Sequence, residues 1–153
     1  MRYLIPLLFL FSTANAEFNI ELGAAHLSGS NSNGAVVIFQ ERYDKWLVGI
    51  GFIDEQEVCP SWEMKYNYPC PVFVDRNLFL HGQRLLKWKG IELGVGAAYF
   101  QNTNRALGKN FTVSASIGYH LNKHVWVGAR HFSNAGSGTP NLGQDMLNIG
   151  ITF

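Results

Sequence analysis

Charge is scarce in this chain. Of 153 residues, 12 are Lys or Arg and 11 are Asp or Glu, so charged side chains make up 15% and the formal net charge is +1. A soluble domain usually carries about 25% charged residues. Near-neutrality gives no reason to expect nucleic acid or an acidic partner, which a strongly basic chain would attract. Cysteine is scarcer still: Cys59 and Cys70 flank the segment Pro-Ser-Trp-Glu-Met-Lys-Tyr-Asn-Tyr-Pro. Zinc needs more soft ligands nearby, so no metal site is expected. In an exported protein the pair is expected to form one disulfide that pins a loop. Beyond the first 16 residues no apolar run approaches the ~20 residues a membrane helix requires.

What the chain does have begins with a leader. Met1-Arg2, the greasy run Leu4 to Phe11 and Ala14-Asn15-Ala16 have the layout of a secretory signal peptide cleaved before Glu17. Residues 1–16 are therefore set aside, and 17–153 are long enough for one domain, not two.

That domain alternates with a period of two. Phe18, Ile20, Leu22 and Ala24 face away from Asn19, Glu21 and Gly23. Residues 35–43 form a second, less regular strand. Trp46, Val48, Ile50 and Phe52 alternate with Leu47, Gly49 and Gly51. The segment 54–75 is long and polar. Asn77 to Trp88 extends without clear faces, because His81, Gln83 and Arg84 break the pattern. Ile91 to Tyr99 and Phe111 to Tyr119 alternate cleanly, and residues 124–133 and 144–153 close the chain. This gives eight strands of about ten residues, with connections that alternate short and long, as in an outer-membrane barrel. The apolar faces carry Ile, Leu, Val and aromatics, the opposite faces Gly, Ser, Thr, Glu and His. A soluble barrel would invert that distribution. The expected fold is an all-β, eight-stranded antiparallel transmembrane β-barrel. Trp46, Trp88 and Trp126 lie near short turns, where an aromatic girdle belongs, although parity turns Trp126 inward.

The last hairpin carries the chemical signal. Its first arm puts Val125, Val127, Ala129, His131 and Ser133 on one face, and its second arm puts Asp145, Leu147, Ile149, Ile151 and Phe153 on one face. Each greasy face turns polar at the end nearest the connecting loop. Residues i and i+2 lie about 6.6 Å apart on the same side of a strand, within reach of an imidazole. Asp145 falls either directly opposite His131 or one diagonal step away. A serine needs a base to become a nucleophile, and the base needs a third group to hold its tautomer. All three types are present on a surface where a charge is costly. Asn134, Gly136 and Asn141 are candidate oxyanion donors, although ordinary turn chemistry explains the same residues. Arg130 faces inward, with Glu21, Glu92 and His120 as candidate partners. His26, His81 and His124 belong to no constellation legible in the sequence.

Arg130-His131-Phe132-Ser133-Asn134, followed by Pro140-Asn141, Gly143 and Asp145, resembles the C-terminal motif of the PagL family of outer-membrane lipid A 3-O-deacylases. The terminal Phe153 is similar to the C-terminal aromatic of bacterial outer-membrane barrels. The resemblance implies a catalytic role for His131 as base and Ser133 as nucleophile. The family's acid is a Glu after the Pro-Asn-x-Gly run; here Asp145, one methylene shorter, takes that position. It also implies a substrate, the ester-linked 3-hydroxyacyl chain at position 3 of lipid A, with outer-membrane lipids as surroundings and no cofactor. A homodimer is compatible with the sequence. Two other classes stay open: a non-enzymatic eight-stranded barrel of the adhesin or structural kind, and a soluble lipocalin-like carrier.

Overall fold

The computed structural model describes residues 16–27, 34–58, 72–103, 108–135 and 143–153. Cys59, Cys70, Gly136 and Asn141 lie outside the described residues, as do residues 1–15 of the expected leader.

Among the described residues ten strands follow one another: β1 (Glu17–Leu27), β2 (Gly34–Tyr43), β3 (Trp46–Ile53), β4 (Gln56–Val58), β5 (Val72–Val74), β6 (Asn77–Trp88), β7 (Ile91–Phe100), β8 (Phe111–His120), β9 (Val125–Ser133) and β10 (Gln144–Thr152). Eight of them close an antiparallel barrel in the order β1-β10-β9-β8-β7-β6-β3-β2. The other two, β4 and β5, pair with each other as a short hairpin, with Glu57 opposite Phe73. The sequence pattern treats 54–75 as loop; its flanks instead extend into strand beyond the barrel mouth.

The wall has an apolar outside. Leu22, Val48, Leu80, Leu86, Leu93, Val95, Ile117, Leu147 and Ile149 are all exposed on it. Leaving one such side chain in water forgoes about 1.5–3 kcal/mol of burial free energy. A wall built this way is stable only against hydrocarbon. Trp46 and Trp88 are exposed at the short-turn end, where an interfacial girdle sits. Trp126 turns inward as parity requires, and its indole lies over Gly118, Gly128 and Gly150, none of which could carry a Cβ without meeting it.

The interior is filled in three layers. At the long-loop end Ala25, Val36, Ile38, Ile53, Phe79, Ala98, Phe100, Phe132 and Met146 form an apolar plug. Phe132 meets Phe79 and Phe100 edge-on, with centroids 5.2 and 5.3 Å away. The middle layer is polar. Arg130 Nη2 donates to Glu21 Oε1 at 3.1 Å and to Gln40 Oε1 at 3.2 Å, and its Nη1 lies 3.2 Å from His81 Nε2. Asn148 Nδ2 donates to Glu21 Oε2 at 2.9 Å, and Gln40 also donates to Glu21. At the short-turn end Arg42 holds Glu92 at 2.6 Å, with Glu17, Lys87 and His120 within 4 Å of one or the other.

This layering corrects the sequence-based partners of Arg130. Glu21 is its carboxylate, but Glu92 and His120 belong to a separate cluster nearer the short turns. It also explains why β6 shows no clean pattern. Phe79, His81, Gln83 and Leu85 point inward while Leu78, Leu80, Arg84 and Leu86 point outward. Polar groups thus occur on both faces, which hides the period of two.

Candidate active site

The closing hairpin pairs β9 with β10 so that Asp145 lies directly opposite His131, Leu147 opposite Ala129 and Ile149 opposite Val127. Of the two geometries the sequence allows, the direct one is realised. His131 Nδ1 lies 2.6 Å from Asp145 Oδ1, and both side chains are about half exposed, at 47% and 48%. A contact this short is typical of a charge-assisted hydrogen bond. With Nδ1 committed to the carboxylate, Nε2 is the ring nitrogen left for proton transfer.

Ser133 ends β9 two residues beyond His131, on the same outward face and half-buried. Across the other seam it pairs with Val113 of β8, while His131 pairs with Ala115. The chain then turns tightly: Ala135 N–H donates to Ser133 Oγ at 3.2 Å, and Ala135 itself has a φ of +54°. A non-glycine residue in that region is uncommon and stores strain. Here it sits two residues from the candidate nucleophile. Asn134, between them, is buried at 3% exposed.

Gly143 is a site residue that the spacing argument does not single out. Its φ is +72°. A Cβ added there would lie 2.6 Å from His131 Cε1 and 3.3 Å from Nε2. The imidazole therefore rests against the glycine backbone on one edge while Asp145 holds the other. Its sequence signal is its place in the Pro140-Asn141-x-Gly143 run, two residues before the acid.

Polar side chains on the outer wall are not a general feature of this rim. The outward residues approaching the long-loop end are Ala35 and Val37 on β2, Phe52 on β3, Leu78 on β6, Tyr99 on β7, and Phe111 and Val113 on β8. Among the described strand residues, only β1, β10 and β9, three adjacent strands, turn polar there, through His26, Asp145, His131 and Ser133. Below them the wall is apolar again. Leu22, Ile117, Val127, Ala129, Leu147 and Ile149 line a shallow groove, with the small Ala129 set between Leu147 and Ile117.

Comparison with known proteins now decides the family. The family model described as "Lipid A 3-O-deacylase (PagL)" matches residues 61–153. The chain belongs to the PagL family. Its residues 131–145 lie within the matched part, and the family makes it a lipid A deacylase, hence a hydrolase. Among solved structures the chain is similar to the outer-membrane enzyme PagL at 16% identity, covering 90% of this chain and 98% of that one, with a TM-score of 0.53. It is similar to Yersinia pestis Ail at 12% identity, covering 90% and 99%, with a TM-score of 0.54. No curated protein matches the chain. The two structural likenesses are equally strong, so they show the shared barrel fold and not the chemistry. The PagL assignment comes from the family model.

Proposed function

We propose that this PagL-family protein is a serine esterase that hydrolyses the 3-O-acyl ester of lipid A, with Ser133 as nucleophile, His131 as base and Asp145 as orienting acid. The observation that carries the reading is the 2.6 Å His131–Asp145 pair, held on the lipid-facing wall with Ser133 on the same face. Lipid A sits in the outer leaflet, so its ester carbonyls reach the rim where this pair lies. The acyl chain has an apolar seat beneath it in the groove around Ala129.

In the forward step Ser133 Oγ bonds to the ester carbonyl carbon while its proton passes to His131 Nε2. The tetrahedral oxyanion collapses, the C–O bond to the sugar breaks, and the sugar 3-oxygen takes the proton from His131. A water then repeats the sequence on the acyl-enzyme, releasing the 3-hydroxy fatty acid and restoring Ser133. Asp145 keeps the ring in the tautomer with Nε2 open and stabilises the imidazolium that forms. Asn134, Gly136 and Asn141 are retained as candidate oxyanion donors. Cys59 and Cys70 are proposed to form a disulfide, and residues 1–16 a cleaved leader, in keeping with export.

The test is Ser133→Ala. The barrel should fold, read as heat-modifiable gel mobility, and lipid A from cells expressing it should keep the 3-hydroxyacyl chain that the parent protein removes. Residual activity within tenfold of the parent would end the proposal, because loss of a nucleophile costs about 10⁴-fold or more.

A further inference from the structure

Asp145 has a second histidine beside it. Closure of the barrel pairs β1 with β10 so that His26 is directly opposite Asp145, as His131 is on the other side. The three form one row across three strands, all on the outward face: His26, Asp145, His131. Directly opposite positions hold their Cβ atoms about 4.5–5.5 Å apart, within reach of a side-chain hydrogen bond. The rest of the outward face of β1 is Phe18, Ile20, Leu22 and Ala24. An imidazole at the one position that abuts the acid is therefore not explained by a generally polar strand.

Resting on the esterase reading above, we infer that His26 is a positioning residue, donating a hydrogen bond to the Asp145 carboxylate from the side opposite His131. A carboxylate has about four acceptor sites on its two oxygens, so accepting from His131 at Oδ1 leaves capacity for this donor. The role follows from the environment. At a lipid-facing rim an anion is destabilised, and a second donor offsets part of that cost. It also limits rotation of a short acid side chain, so that Oδ1 stays aimed at His131. His26 touches no reacting atom and acts through Asp145.

The experiment uses the full mature chain folded in detergent micelles, as parent, His26→Ala and His26→Gln. Two readouts are taken: kcat and KM on purified lipid A, and the NMR signal of the His131 Nδ1–H shared with Asp145, assigned by its loss in Asp145→Ala. The expected result is a fall in kcat of about tenfold in His26→Ala with KM unchanged, as for other partners that orient a working group. The Nδ1–H signal should shift or broaden in His26→Ala, and His26→Gln, which keeps a donor, should restore both. Full activity with an unmoved signal in His26→Ala overturns the inference. So does a rise in KM alone, which would make His26 a substrate contact. If the folded parent does not deacylate lipid A, the esterase reading fails, and the Nδ1–H signal alone then decides whether His26 positions Asp145.

Discussion

Arg130 and His131 are neighbours in the chain and live in different worlds. Arg130 points into the lumen, where Glu21, Gln40 and His81 surround its guanidinium. His131 points at lipid, where its partner is a carboxylate about half exposed. Both clusters contain a histidine and an acid, yet only the outer one is proposed to do chemistry. A guanidinium has no acceptor, so His81 Nε2 must accept from Arg130 and its proton must sit on Nδ1. That ring is buried at 3% exposed. The His131 ring keeps Nε2 open on the outside. In a strand, a step of one residue separates a structural bolt from the proposed base.

Substitution at each neighbour should pull the two roles apart, and the largest effect is expected here. His131→Ala should lower deacylation by about 10⁴-fold or more and leave the urea midpoint of the folded barrel unchanged. Arg130→Ala should leave Glu21 buried without its cation, at a cost of about 3–5 kcal/mol in unfolding free energy. Equal loss of stability in both variants would mean that the outer pair is structural too.

Next in size is the acid. Asp145→Ala removes the group proposed to set the tautomer, and a loss of about 10³–10⁴-fold in kcat is expected, on the pattern of other triads. Glu21→Gln in the lumen, by contrast, should affect unfolding rather than kcat. A variant of Asp145 with kcat near that of the parent would leave His131 oriented by something else, with Gly143 the first suspect.

The division between inside and outside was legible in the sequence wherever a period of two survived. The outward run Val125, Val127, Ala129, His131, Ser133 and its partner from Asp145 to Phe153 needed only alternation, and the structure keeps both faces intact. Register was not legible. A connection of ten residues between Ser133 and Gln144 leaves open whether Asp145 sits opposite His131 or one step off, since only short turns fix register. His26 was hidden for a different reason. It meets Asp145 across the seam that closes the barrel, 119 positions away in the chain, and nothing local marks that pairing. The partners of Arg130 were half legible: parity sent it inward, but parity says nothing about depth. Depth separates Glu21 in the middle layer from Glu92 near the short turns.

Gly143 gives a smaller effect. The lumen glycines make room for an indole; this one makes room for the candidate base. Gly143→Ala adds a Cβ 2.6 Å from His131 Cε1 at a φ of +72°, which an alanine tolerates poorly. The ring must move while Asp145 stays, so a loss of about 10–100-fold in kcat is expected, the size of other misplacements of a catalytic group. Asp145→Glu in the same chain should recover part of it, because the longer acid can follow the ring. No recovery would indicate that the backbone, rather than the ring, is what the alanine disturbs.

The smallest effect is expected one row below the pair, where the wall has no chemistry of its own. Ala129 lies opposite Leu147 on one side and Ile117 on the other. Its missing bulk makes the depression beneath His131. Ala129→Leu would fill it with a side chain of the same hydrophobicity as its neighbours. The barrel should fold as before, since the wall there already faces lipid. If the acyl chain lies in that groove, KM should rise about fivefold, near the lower end of what one misfitted apolar contact costs, while kcat changes little. A change in kcat without one in KM would place the chain elsewhere and would confine the groove to contact with bulk lipid.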